Sequence, residues 1–358
     1  MSAALFAHLP SHSPLLLAVI AAMPVHAQLV AYEGFGDYTA GIQVESGENG
    51  SAGTGLDAGA GWGGAFDINN AIKSLVKIEN RSSSPVNYSN GGLSIFGGNR
   101  ALRFYDIANS SYALQRPLGT TFDAAAGETL WFSVLFRTSA ASPLSNQDFI
   151  QIGFDDNATA VGGVPRVSIG ANTIQASFPS PFRFFARSTT AVAASAFHDN
   201  LNIAAATTYL LVGRIQPHEG IYDTVSLFVN PAGPEDPGPP SAEMVLPSGL
   251  VRLSHAFIRT AGLDSGDANV IDEWLIGRDY GSVVQSLQAA LRWTAVADGP
   301  LILRWPVAPS DAVLQASNSL AADSWTDVTG PFARQGAEWE YAVVIDSGTP
   351  QRFFRLRR

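Results

Sequence analysis

The segment 264–269 concentrates oxygen-bearing side chains that could bind a metal ion. Asp264, Asp267 and Asn269 stand around Gly266 within this short stretch. Ca²⁺ takes about six to eight oxygen ligands, and loops with several Asp and Asn residues can supply them. The spacing is not that of an EF-hand, and Asp, Gly and Asn are also ordinary turn residues. The segment therefore predicts either a Ca²⁺-binding loop or a tight turn.

Two other places have side chains suited to contacting a ligand such as a sugar. Asp155, Asp156 and Asn157 follow the predicted strand 149–154, where a loop at the end of a sheet would present them. Trp62 stands between two glycines. A tryptophan ring in such a loop either stacks on a sugar or packs over the edge of the protein. We predict that all four residues bind ligand, with edge packing as the alternative for Trp62.

No arrangement typical of a hydrolase is present in the sequence. A retaining glycosidase needs two carboxyl groups about 5 Å apart. Asp272 and Glu273 are adjacent, so on a regular strand they would point to opposite faces, with Asp272 on the face of Trp274. There is no Gly-x-Ser-x-Gly motif. The chain has no cysteine, which excludes disulfides, thiolate metal sites and a cysteine nucleophile. We therefore expect a protein without catalytic activity.

Strand patterns account for most of the chain and must position these residues. The strongest is 208–231, where two apolar runs flank Pro217, Glu219 and Gly220 and predict a β-hairpin. Apolar residues on both faces of this hairpin need cover from other layers of the protein. The 34 glycines and 21 prolines suit many turns rather than long helices. The pattern predicts an all-β protein built on a large antiparallel β-sandwich.

Charge and hydropathy limit the partners and the compartment. The net charge is −10 and there are only two lysines, which argues against binding to nucleic acid or to an anionic membrane surface. Residues 1–27 look like a secretory signal peptide, with a nine-residue apolar segment and small residues before Gln28. A buried N-terminal helix is the alternative. No later stretch reaches the roughly 18 apolar residues of a transmembrane helix. We expect a secreted or cell-surface protein whose mature chain has no transmembrane segment.

A change of composition near residue 287 predicts a second domain. Residues 289–358 contain seven arginines and seven acidic residues, so the whole net negative charge lies upstream. Short strand patterns divided by turn residues continue to the C terminus. The expected organisation is a signal peptide at 1–27, a sandwich domain at 28–286 and a small β module at 287–358.

Several motifs resemble those of secreted bacterial proteins that carry a concanavalin A-like, or laminin-G-like jelly-roll, domain followed by a small C-terminal β module. The motifs of the larger domain lie at 32–35 with 61–62, 130–137, 209–231 and 271–277, and those of the module at 303–306, 314–320 and 353–357. The resemblance implies a jelly roll ahead of the module. Related folds bind glycans, proteins or Ca²⁺, or hydrolyse polysaccharides, so the fold alone does not select a function.

We interpret the chain as a secreted, non-catalytic binding protein that recognises a polysaccharide or a cell-surface glycan or protein through its sandwich loops. One alternative is a glycoside hydrolase or lyase of the same fold, whose carboxylates would come from different strands. Two carboxyl groups within about 5.5 Å in an open groove would favour it. The other alternative is a structural component of a surface layer or matrix, which self-association without ligand binding would favour.

Overall fold

The computed structural model describes most of the chain in separate ranges. These are residues 29–36, 38, 40, 59–69, 76–105, 110–138, 149–156, 166–172, 183–188, 195–198, 203–263, 268–284, 292–295, 300–306, 313–318, 324–335, 338–343 and 352–357. The chain forms two compact units, one of which is Ala27–Ser286, while Leu287–Arg358 belongs to the other.

The described part of the larger unit consists almost entirely of strands. Its elements are β1 (Leu29–Glu33), β2 (Asp67–Asn69), β3 (Val76–Asn80), β4 (Asn87–Asn90), β5 (Leu93–Phe96), β6 (Arg100–Tyr105), β7 (Ser110–Asp123), β8 (Leu130–Thr138), β9 (Phe149–Asp155), β10 (Val167–Asn172), β11 (Arg183–Ser188), β12 (Ser195–Phe197), β13 (Thr208–His218), β14 (Ile221–Val229), β15 (Ala242–Leu250), β16 (Arg252–Leu263), β17 (Ala268–Gly277) and the helix α1 (Tyr280–Val284).

Two large antiparallel sheets form the sandwich. One has eight strands in the order β15-β14-β13-β8-β17-β6-β3, with β1 also paired to β17. The other has seven strands in the order β12-β11-β10-β9-β16-β7-β2. The prediction of an all-β protein with a large antiparallel sandwich is confirmed.

The core lies between the inner faces of these sheets. Phe132 and Phe136 of β8 are fully buried, and their rings meet Phe154 of β9 and Phe184 of β11 edge-on, at centroid distances of 4.9 and 5.8 Å. Such aromatic pairs between facing sheets are a large part of what holds a β-sandwich together.

The predicted hairpin is present as β13 and β14. Its turn consists of Glu219 and Gly220, both with positive φ (51° and 79°), which suits the twist of a two-residue hairpin turn. Pro217 does not begin the turn as expected from the sequence. The strand continues through it, because the register shifts between Gln216 and Pro217 and such a bulge tolerates a residue without an N–H.

The outer face of the eight-stranded sheet is covered by other elements of the same unit, and we call it the covered face. The β4–β5 hairpin contacts β13, and α1 packs on β8 and β17. Trp131 of β8 stacks on Phe228 (5.7 Å between centroids) and lies 5.5 Å from the ring of Tyr280 in α1. No helix in the described ranges is long and apolar enough to cross a membrane.

The second unit contains two small antiparallel sheets. Its strands are β18 (Arg292–Ala295), β19 (Leu301–Pro306), β20 (Val313–Ser317), β21 (Thr326–Asp327), β22 (Ala333–Gln335), β23 (Glu338–Val343) and β24 (Phe353–Arg357). They pair in the orders β18-β19-β23-β22 and β21-β20-β24. Leu303, Trp305, Leu314 and Val343 form a buried cluster.

Candidate functional site

The outer face of the seven-stranded sheet carries polar, cationic and aromatic side chains. Successive residues of a strand point to opposite faces. In β9, Ile150 and Ile152 belong to the core, so Phe149 and Gln151 point outward. In β16, Ile258 belongs to the core, so Arg259 points outward. We call this outer surface the arginine face.

The strand register brings the outward residues into adjacent rows. From β11 to β16, one row contains Arg187, Ser168, Gly153 and Phe257, and the next contains Phe185, Gly170, Gln151 and Arg259. Neighbouring strands are about 4.8 Å apart, so long side chains from these rows can reach a common point.

Two arginines of this face have no acidic partner in the described part of the chain. The guanidinium carbons of Arg187 and Arg259 lie 5.9 and 5.1 Å from the centroid of the Phe149 ring, so both cations converge on one aromatic side chain. Among the described residues, neither arginine forms an ion pair. Burial, and then the charge of Arg259, lowers the pKa of Arg187 to about 10. Burial also lowers the pKa of Arg259. The sheet therefore holds two positive charges at an energetic cost.

A third arginine of the same face has a carboxylate nearby. The Nε atom of Arg166 lies 3.7 Å from Oδ2 of Asp155, and both side chains are buried. Gln115 Nε2 donates a hydrogen bond of 2.9 Å to Oδ1 of the same carboxylate. Burial, and next the charge of Arg259, lowers the pKa of Arg166, while Asp155 opposes this. Asp155, a predicted ligand-binding residue, is thus the last residue of β9 and a buried counter-ion.

Two amide side chains of the arginine face have unused acceptor atoms. Gln151 is 2% exposed, and its Nε2 donates to Ser168 Oγ at 3.3 Å. Its Oε1 atom and the Oδ1 atom of the buried Asn172 have no hydrogen-bond partner in the described part of the chain. A buried polar atom left unpaired costs about 1–3 kcal/mol. Each oxygen has the capacity to accept a hydrogen bond from a hydroxyl group, but both atoms are buried in this structure.

Asp156 lies at one end of this face in a small polar network. Ser254 Oγ donates to Asp156 Oδ1 at 2.9 Å and is also 2.9 Å from Nδ1 of His255. Arg252 Nε is 3.5 Å from Asp156 Oδ2. Burial lowers the pKa of His255, and the charge of Asp156 opposes that shift. Asn157, the third member of the predicted loop, lies outside the described residues.

Trp62 packs against the sandwich. Its Nε1 donates a hydrogen bond of 2.9 Å to the carbonyl of Tyr32. Its ring lies 5.5 Å from Trp274 and 6.2 Å from Phe66, and the guanidinium of Arg116 lies 4.6 Å from its centroid. These contacts correspond to the edge-packing alternative. A ligand-binding role for Trp62 stays a prediction.

The predicted Ca²⁺ loop is described only at Asn269. Asp264 and Asp267 lie outside the described residues. Asn269 is completely buried at the start of β17, and neither polar atom of its amide has a partner in the described ranges. Those ranges contain no cluster of three His, Asp or Glu side chains that could hold a metal ion. One amide oxygen falls far short of the six to eight that Ca²⁺ takes, so Ca²⁺ binding stays a prediction.

The adjacent carboxylates of β17 lie away from the arginine face, on an irregular strand. The pairing of β17 with β8 shifts between Asp272 and Leu275, and Glu273 has a φ of 49°. This bulge puts Trp274 in the core, so the expectation that Asp272 shares its face is wrong. Asp272 is fully buried. Its Oδ2 atom lies so close to Gly97 that a Cβ atom added to this glycine would be only 2.4 Å away. Burial, and then the charge of Glu273, raises the pKa of Asp272 well above its ordinary value.

Sequence reasoning missed the arginine face, although a signal for it is present. β11 places Arg183, Phe185 and Arg187 at alternate positions, and β16 does the same with Phe257 and Arg259. Alternation of cations and aromatic residues along a strand indicates one polar outer face. The convergence of the two strands on Phe149 depends on the strand order, which composition and spacing do not reveal.

Comparisons with known proteins assign no family to the chain. No family model matches the sequence, and no curated protein matches it. Among solved structures, an alginate lyase mutant in complex with alginate tetrasaccharide is similar with a TM-score of 0.41 and 10% identity, over 60% of this chain and 87% of the lyase. A carbohydrate esterase from the Shiga toxin-encoding bacteriophage phi24B has a TM-score of 0.37 and 10% identity, over 67% of this chain and 99% of the esterase.

A lectin is similar at the same level. Peanut lectin with a nine-residue peptide has a TM-score of 0.34 and 12% identity, over 59% of this chain and 96% of the lectin. Likenesses of this size assign no ligand and no activity to the present chain. The functional argument rests on the side chains of the arginine face.

Proposed function

We propose that the protein binds a polysaccharide across the arginine face without cleaving it. The observation that carries this proposal is the partly exposed pair Phe149 and Arg259, which are in contact on this face next to the buried amides of Gln151 and Asn172. Sugar rings combine hydroxyl groups with apolar faces, so polar side chains and aromatic rings together suit them. The binding surface is then the sheet itself together with the Asp155–Asp156 end, rather than the loops alone.

The two outer faces of the sandwich differ in a way that supports this assignment. The hairpin and helix that pack on the covered face have no counterpart of similar extent among the described elements on the arginine face. Phe149, Arg259 and His255 are partly exposed there. A ligand can therefore reach these three side chains directly, whereas Gln151, Asn172 and Arg187 on the same face are only 2–4% exposed.

The position of the acidic residues favours binding over hydrolysis. A retaining hydrolase needs two carboxyl groups about 5 Å apart beside the bound sugar. The adjacent carboxylates Asp272 and Glu273 are both buried on β17 of the eight-stranded sheet. On the arginine face, Asp155 is held by Arg166 and Gln115, an arrangement typical of a counter-ion rather than of a catalytic acid.

Affinity electrophoresis of the full chain in gels containing neutral or acidic polysaccharides tests the proposal. We expect retardation by at least one polysaccharide and no release of reducing or unsaturated ends. Phe149→Ala should weaken binding at least tenfold. Phe96→Ala is the matched control, since Phe96 is 45% exposed on β5 of the hairpin over the covered face. Equal affinity of the Phe149→Ala variant and the wild-type protein would remove the arginine face from the proposal.

Export and Ca²⁺ binding complete the proposed role. Cleavage after Ala27 would give a mature chain that begins at Gln28, which N-terminal sequencing of exported protein would check. Ca²⁺ at 264–269 would raise the melting temperature, and EDTA would reverse the rise. We assign the second unit an accessory or attachment role, for which deletion of 287–358 should release the protein from the cell surface.

A further inference from the structure

We propose that the polysaccharide bound at the arginine face is anionic, with carboxylate or sulfate groups that pair with Arg259 beside the buried charge of Arg187; this inference rests on the proposed function. Both cations lie on the outer side of a sheet and approach the same ring, Phe149, and Arg259 is partly exposed whereas Arg187 is 2% exposed. Neither forms an ion pair among the described residues. A bound oxyanion would supply the missing negative charge.

The charge of the whole protein makes this cluster exceptional. The chain carries a net charge of −10 and has ten more acidic than basic residues. Acidic partners for buried arginines are therefore abundant, and Arg116 with Glu33 shows such a pair at 2.6 Å. Since a buried, unpaired charge is costly, two arginines without carboxylate partners among the described residues of so acidic a chain favour a binding role.

Packing within the sheet accounts for only part of this arrangement. Arg187 Nε donates to Ser195 Oγ at 2.6 Å, and its guanidinium lies 4.5 Å from the ring centroid of Phe185. Its Nη2 is buried without a partner. A cation–π contact contributes about 0.5–2 kcal/mol, but it does not relieve the repulsion between Arg187 and Arg259. An oxyanion bound at Arg259 would relieve that repulsion.

Guanidinium chemistry also limits the ligand class. The planar fork of arginine matches carboxylate and other oxyanions through paired N–H donors. The partly exposed ring of Phe149, which both guanidinium groups approach, offers an apolar surface to a sugar. The combination suits acidic sugars better than an unsubstituted glucan, which would leave both charges unpaired.

Two pairs of polysaccharides that differ only in charge test the inference. Polygalacturonate is compared with its methyl ester, and dextran sulfate is compared with dextran, by isothermal titration of the full chain at low and high salt. We expect at least tenfold tighter binding of one anionic member than of its neutral partner, with the difference shrinking at high salt. Preference for polygalacturonate assigns carboxylate, and preference for dextran sulfate assigns sulfate.

Single substitutions show which arginines produce the preference for anionic polysaccharides. Arg259→Gln should remove at least tenfold of the anion preference and Arg187→Gln a smaller part of it, while Arg214→Gln on the covered face should keep it. Thermal unfolding of each variant confirms that it is folded. Equal binding of charged and neutral members by the wild-type protein would overturn the anionic ligand and leave the polysaccharide proposal standing. Lack of binding to every polysaccharide would overturn both.

Discussion

The arginines on the two outer faces of the sandwich differ in whether carboxylates lie next to them. On the covered face, Arg214 lies 3.5 Å from Glu243, Arg103 pairs with Glu79, and Arg137 donates to Ser84 Oγ at 3.3 Å. On the arginine face, Arg187 and Arg259 have no acidic partner among the described residues. Both faces stack guanidinium groups on aromatic rings, so the difference lies in charge neutralisation rather than in packing.

This difference separates what stabilises the fold from what is available for binding. A face that pairs Arg214 and Arg103 with carboxylates and is covered by a hairpin and a helix contributes to the free energy of unfolding. A face that leaves cations and amide oxygens unpaired gives up stability. Proteins retain such costs mainly where function requires them.

Truncating an aromatic residue on each face gives the largest expected contrast. Trp131→Ala removes a ring that contacts Phe228 and Tyr280, and it should lower the free energy of unfolding by about 3 kcal/mol. Phe149→Ala removes a partly exposed ring, and the loss should be about 1 kcal/mol. Urea denaturation followed by circular dichroism measures both. Equal losses would show that the arginine face is also a structural layer.

The sequence predicted the fold far better than the site, and the reason is physical. Alternating apolar residues encode strands and buried faces locally, so the hairpin of β13 and β14 and the all-β class follow from composition and spacing. The site depends on which strands become neighbours. Arg187 and Phe149 are far apart in the chain, and β10 lies between their strands. The loops rich in Asp and Asn were predicted as binding sites because their composition can be recognised within a few consecutive residues.

The bulge in β17 shows, at a single residue, the same limit of prediction from local sequence patterns. Strict alternation put Asp272 and Trp274 on one face, but the positive φ of Glu273 inserts an extra residue and reverses the order after it. Glutamate is uncommon in this backbone conformation. The hydrogen bond from Tyr32 Oη to Glu273 Oε1 (3.0 Å) helps to hold it there, and that contact joins β1 to β17 across most of the larger unit's sequence.

A smaller effect, confined to a range of pH, is expected from Asp272. Its pKa is raised in the folded protein by burial and by Glu273, so the folded state holds a proton that the unfolded state releases above about pH 4. The free energy of unfolding therefore decreases as the pH rises from about 4 towards the pKa that Asp272 has in the folded protein. Asp272→Asn removes this loss and keeps an acceptor for the N–H of Glu273.

The variant should therefore gain stability over the wild-type protein as the pH rises from 4 to 7, and match it most closely at the acidic end. Melting temperatures recorded across this range measure the difference. Asp236→Asn, at an exposed position, is the control and should follow the wild-type profile. A constant offset at every pH would mean that Asp272 is ionised in the folded protein.

The smallest expected effects come from replacing one arginine on each face with glutamine. Arg214 lies over Trp131 and Phe228 (5.5 and 5.6 Å) and pairs with Glu243, so Arg214→Gln should lower the free energy of unfolding by about 0.5–1 kcal/mol. Arg259→Gln loses one ring contact but relieves repulsion from Arg187 and Arg166, so its stability should equal or exceed that of the wild-type protein. Parallel urea denaturation of the two variants measures the contrast. If Arg259→Gln were the more damaging change, Arg259 would be part of the structure that holds the sheet together, and the argument that its charge is kept for a ligand would lose its basis.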